Sequence, residues 1–84
     1  MIMNNVKRDA DETDVRLLEA LSRREREILK FVAEGKSSRE IGERLMISSK
    51  TVDTYRSRLM RKINVKNVAG VIKFAIQHGI IALE

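Results

Sequence analysis

Two serine-led motifs of the same form, Ser22-Arg23-Arg24-Glu25 and Ser37-Ser38-Arg39-Glu40, stand 15 residues apart in a chain of 84 residues that has no proline. In an S-x-x-E box the serine hydroxyl accepts from the third helical N–H while the glutamate reaches back to the serine N–H, so each box opens a helix. Starts this close together allow only short helices. The β-branched alternation that would argue for strands is missing, so the chain reads as all-α.

The stops complete the division. After the first box, Ile28, Leu29, Phe31 and Val32 form one apolar face and Gly35 supplies a left-handed stop, giving a helix over about 23–34. The second box leads into Ile41 and Leu45, a two-turn helix over about 38–45 that ends near Met46. Ser48 is the next cap, and an unbroken period runs to Ile63, a helix over about 49–63. Asn67 caps a fourth helix over about 68–78, which stops at Gly79 so that Ile80 and Ile81 fold back over its end. Val15, Leu18 and Leu21 recur at helical spacing ahead of the first box and predict a short helical turn there. Residues 1–12 are polar and without period, a flexible leader. The expectation is a compact four-helix domain over 21–82 behind a leader of residues 1–20. Its middle helices are joined by Met46, Ile47 and Ser48 alone, which is a helix-turn-helix arrangement, although its turn lacks the usual glycine.

The third helix carries the functional signal. Val52, Tyr55, Leu59 and Ile63 make a narrow apolar stripe, and Lys50, Asp53, Thr54, Ser57, Arg58 and Arg61 occupy the other side. Charge concentrates there. The chain is +5 overall, the first 20 residues are −2, and residues 48–66 hold six cations against Asp53 alone. A basic body behind an acidic leader calls for a polyanionic partner. No apolar run approaches the roughly 20 residues that span a bilayer, no secretory signal opens the chain, and cysteine is absent, so a cytoplasmic protein without disulfides or membrane contact is expected.

A major groove accepts one α-helix if its inner stripe is anchored and its outer face offers hydrogen-bonding groups. Short side chains at the front of the third helix suit base edges, and the cations behind them suit phosphates. Residues 21–81 resemble the LuxR/GerE-type helix-turn-helix domain found at the C-terminus of NarL/FixJ-class response regulators. Leu21, Ser22, Arg24, Glu25, Glu27 and Leu29 carry the likeness, followed by Gly35, Ser37, Glu40, Ile41 and Leu45. Ile47, Ser48, Thr51, Val52, Tyr55, Lys62, Ile63, Val65, Gly79 and Ile80 complete it.

The resemblance implies a double-stranded-DNA binder that acts as a homodimer, with the third helix for recognition and the fourth for pairing. It further implies an attached N-terminal receiver domain, absent from this chain, and RNA polymerase as a further partner. Either the chain is a natural stand-alone member or it is an excised effector domain, with Leu83-Glu84 as a cloning remnant. By resemblance Asp53, Thr54 and Ser57 lie at base-contact positions. Arg39, Lys50, Thr51, Arg58, Arg61 and Lys62 are the phosphate candidates. Three positions depart from the family: Gly42 stands for alanine, Val68 for arginine, and Asp53 for lysine or a small polar residue.

Asp53 has two readings: a groove carboxylate that accepts from cytosine N4, or a complement to the helix N-terminus paired with Arg56. The fourth helix also has two. Val68, Ala69, Val71, Ile72, Ala75 and Ile76 fall on one broad arc read as its core face. Phe74 lies outside that arc beside Gly70, Lys73 and Gln77. It either packs reciprocally across a dimer or sits beneath Val15 and Leu18. His78, the lone histidine, has no second metal ligand at binding spacing and no glycine-rich phosphate loop exists, so neither cofactor nor enzymatic activity is expected.

Overall fold

The computed structural model describes residues 16–81. The readings for residues 1–12, for Val15 and for Leu83-Glu84 lie outside them. A single helical turn at residues 16–19 is followed by four helices: α1 (Arg23–Ala33), α2 (Ser38–Leu45), α3 (Ser49–Lys62) and α4 (Val68–Gln77). Each boundary lies within one residue of the sequence expectation.

Caps explain that agreement. Both boxes close in both directions: the Ser22 N–H donates to Glu25 Oε1 at 2.8 Å, and the Ser37 N–H donates to Glu40 Oε1 at 2.8 Å. Ser48 Oγ accepts from the Thr51 N–H at 3.0 Å and Asn67 Oδ1 accepts from the Gly70 N–H at 2.9 Å, each satisfying one of the helix's orphan donors. Gly35 and Gly79 stop α1 and α4 in the left-handed region, with φ of 91° and 67°. The Ile80 N–H then donates to Ala75 O at 2.8 Å, and Ile80 and Ile81 pack against the core as the predicted clasp.

The α2–α3 turn solves its problem without a glycine of its own. Met46 takes the left-handed conformation, φ 60° and ψ 42°, with its side chain 90% exposed. The compensating glycine sits one turn earlier. A Cβ on Gly42 would stand 2.6 Å from the Ile47 carbonyl oxygen and 3.3 Å from Ser49 N, so the bare α-carbon lets the turn cross directly over α2. The Ile47 N–H returns to Gly42 O at 2.9 Å, closing the turn.

One core unites the helices. Ile28 and Leu29 of α1, Ile41 of α2, Val52 and Leu59 of α3, and Val71 and Ala75 of α4 have no exposed surface, and Leu17 and Leu18 of the first turn pack against them. Burial at the usual 25 cal/mol per Å² makes this cluster the main source of stability in so short a chain. The Arg44 guanidinium lies 5.7 Å from the Phe31 ring centroid and covers that ring where α1 meets α2.

Candidate nucleic-acid interface

α3 is positioned by its inner stripe. Val52 and Leu59 are fully buried and Ile63 is nearly so, while Tyr55 is half-buried at the stripe's flank. Rotation about the helix axis is thereby fixed, and Lys50, Thr51, Asp53, Thr54, Ser57, Arg58 and Arg61 all lie exposed. Thr54 gives its hydroxyl proton to Lys50 O at 3.2 Å, which leaves its methyl and its lone pairs for an outside partner. The Thr51 and Ser48 hydroxyls meet at 2.9 Å at the helix start.

Asp53 is held by another helix. The Ser38 hydroxyl, at the first position of α2, donates to Asp53 Oδ1, and Arg56 Nη1 donates to Ser38 Oγ at 3.0 Å. Asp53 and Arg56, paired directly in one of the two readings, are linked through Ser38. Periodicity could not have found it, because the partner lies 15 residues upstream on a separate helix.

Lys62, read as a phosphate candidate, has partners within the chain. Its Nζ lies 2.9 Å from Glu25 Oε1 and 3.3 Å from Ala20 O, so it ties the end of α3 to the start of α1. The Glu25 side chain is 3% exposed, and its carboxylate also caps the Ser22 N–H. Burial pushes the Glu25 carboxyl up, but the Lys62 hydrogen bond, the Ser22 bonds and the Lys62 charge together outweigh it and hold the group below its ordinary value. The capping box announced Glu25, but its second partner was not legible. Arg39 stands exposed on α2 and reaches Glu43 at 3.7 Å, a surface pair of little energetic weight.

The fourth helix is rotated from the sequence expectation by roughly 90° on the α-helical wheel. Its core face is Val71, Phe74 and Ala75 with half-buried His78, whereas Val68 and Ala69 are exposed and Ile72 and Ile76 are half-buried. Phe74 is 5% exposed and its ring stacks on His78, centroids 4.3 Å apart, so it cannot present a free ring to a second copy. Gly70 is likewise used within the chain: a Cβ there would stand 3.0 Å from the Val65 Cβ. Of the four residues read as a pairing face, Lys73 and Gln77 remain exposed. The outward apolar stripe is Val68, Ile72 and Ile76. Both faces of α4 are apolar, so periodicity alone could not choose between them.

Among the described residues no helix is long and apolar enough to cross a membrane, and no group of three or more potential metal ligands occurs.

The sequence is similar to those of known proteins. Residues 19–75 match the family described as GerE, bacterial regulatory proteins, luxR family. The chain is 42% identical over 62 residues to the transcriptional regulatory protein MctR of Rhizobium johnstonii, covering 74% of this chain and 29% of that protein. It is 37% identical over 68 residues to the DNA-binding transcriptional activator EvgA of Escherichia coli K12, covering 81% and 33%. Similarity to the oxygen regulatory protein NreC of Staphylococcus carnosus is 36% over 75 residues, covering 89% and 34%. The chain spans about a third of the length of these relatives.

Proposed function

The chain belongs to the luxR family of bacterial regulatory proteins, and we propose that it is the sequence-specific DNA-binding portion of a longer transcriptional regulator, with α3 laid in the major groove. The observation that carries this reading is the division of α3: Val52 and Leu59 have no exposed surface, while Lys50, Thr54, Ser57, Arg58 and Arg61 face outward. Short hydroxyl side chains toward the front meet base edges, and the longer cations of the rear turns meet phosphates. Arg39 and Lys50 add to the phosphate set from α2 and the start of α3.

Two copies bind paired half-sites, joined through α4. The contact uses the outward stripe Val68, Ile72 and Ile76 with Lys73 and Gln77 at its rim, in a two-fold arrangement. The remaining length of the relatives accommodates a regulatory segment, and a receiver domain of the NarL/FixJ class is the proposed one, with RNA polymerase as the target at promoters.

Single-stranded RNA is disfavoured by the aromatic inventory. The chain has one tyrosine and two phenylalanines; Tyr55 and Phe31 are half-buried and Phe74 is buried, so no exposed ring remains for base stacking. The deciding experiment titrates a selected duplex and its scrambled counterpart at several salt concentrations. Specific groove binding gives a steep salt dependence for both and a preference for the selected duplex at every salt. Equal affinity throughout would overturn the reading.

A further inference from the structure

Asp53 sits on the base-reading face of α3, where a carboxylate repels the phosphates that every neighbouring cation attracts. Its position is nevertheless fixed. Ser38 spends its one hydroxyl proton on Asp53 Oδ1, and the Ser38 oxygen in turn accepts from Arg56 Nη1 at 3.0 Å. Ser38 opens α2, so the relay lies at the positive end of that helix, beside the Arg56 charge. Asp53 itself is exposed. An ionised carboxylate has about four acceptor sites, and the Ser38 bond takes one of them.

We infer that Ser38 and Arg56 are positioning residues that hold the Asp53 carboxylate as an acceptor-only reader of a cytosine amino group at the front of α3. This rests on the reading of α3 as the groove helix and deepens it by naming a base. Guanine offers two acceptors in the major groove and thymine offers one with a methyl, so both oppose a carboxylate. Adenine offers its amino group beside the N7 acceptor, which repels the second carboxylate oxygen. Cytosine alone presents N4–H without an adjacent acceptor on the same base. The relay fixes the side chain before DNA arrives, which reduces the ordering cost of that contact. The same negative charge excludes guanine at that step, so specificity arises by rejection as well as by attraction.

The test is selection of bound duplexes from a random library by the chain and by Asp53→Asn, Asp53→Ala, Ser38→Ala and Ser38→Thr, with the melting midpoint of each recorded. The wild-type chain should enrich a cytosine in each half-site with roughly tenfold or greater discrimination, the range of one good base contact. Asp53→Ala should lose that discrimination, and Asp53→Asn, which keeps the side-chain shape and the Ser38 contact, should move the preference toward adenine. Ser38→Ala should relax the preference at the cytosine alone, and Ser38→Thr, which retains the hydroxyl, should restore it. If Asp53→Ala keeps the wild-type cytosine, or if Ser38→Ala weakens all duplexes equally and leaves the preference intact, the relay is only a staple between α2 and α3 and the inference falls. If the wild-type chain enriches no sequence at all, the groove-helix reading falls first and takes the inference with it.

Discussion

Lys62, in the last turn of α3, donates to the carboxylate of Glu25, in the first turn of α1, at 2.9 Å across 37 residues of sequence. The same ammonium reaches Ala20 O at 3.3 Å, so one cation ties the end of α3 to the segment that precedes α1. Lys62→Met leaves a buried carboxylate without its counter-charge and is expected to cost on the order of 2–3 kcal/mol, within the range for breaking a partly buried pair. Urea unfolding of the two proteins measures it. A loss below about 0.5 kcal/mol, typical of surface pairs, would show that the tie carries little.

The same pair sets an acid limit. The folded-state pKa of Glu25 is depressed, so its contribution to stability is complete above the ordinary carboxylate value and disappears as pH falls through the depressed one. Stability measured from pH 7 downward should therefore hold until the carboxylate range and then decline. In Glu25→Gln that part of the decline should be absent, and the two curves should converge at low pH. Parallel curves would mean that other carboxylates dominate.

Gly42 leaves no room for a side chain where the turn crosses α2. Alanine gains up to about 1 kcal/mol of helix propensity over glycine, but its Cβ would meet the Ile47 carbonyl oxygen at 2.6 Å, and that atom belongs to the backbone of the turn. Gly42→Ala is expected to lower stability by about 1–3 kcal/mol, the cost of overpacking a closed site. It should also weaken duplex binding, because relief of the clash displaces the start of α3. A rise in the melting midpoint would show that the turn has slack.

The legible part of this fold follows its caps. Ser22, Ser37, Ser48 and Asn67 each announce a start by local chemistry within four residues, and the α3 stripe has only one apolar side to bury. α4 is different. Val68, Ile72 and Ile76 compete with Val71, Phe74 and Ala75 for the core, and the outcome depends on which surface α1 presents, a property of three-dimensional packing that no window on α4 contains. The Ser38–Asp53 and Glu25–Lys62 contacts were hidden for a related reason: each joins polar residues on separate helices, and polar pairing leaves no periodic trace.

Arg61 and Thr54 test the proposed division between affinity and specificity. Both are exposed on α3, one in its last turn and one in its first half. If Arg61 meets a phosphate as proposed, Arg61→Ala should weaken all duplexes alike and lower the salt slope by about 1. If Thr54 meets a base edge as proposed, Thr54→Ala should change which duplex is preferred and leave the slope as it was. Titration of selected and scrambled duplexes at several salt concentrations reads both effects, and identical behaviour of the two variants would refute their assignment.

The proposed pairing through α4 turns on which face is free. Phe74 is buried against His78, so Phe74→Ala should act on the fold and cost roughly 3–5 kcal/mol, the usual range for deleting a core ring. Ile72 lies half-buried on the outward stripe with Val68, which is 38% exposed. A glutamate at position 72 places like charges opposite one another wherever two copies meet about a two-fold axis, and it displaces little of the monomer core. Ile72→Glu should therefore weaken binding to duplexes with paired half-sites by tenfold or more, about 1.4 kcal/mol, and leave a single half-site nearly unchanged. Gel-shift titration on the two duplex types makes the comparison. Equal loss on both would show that the second copy is joined elsewhere on the molecule.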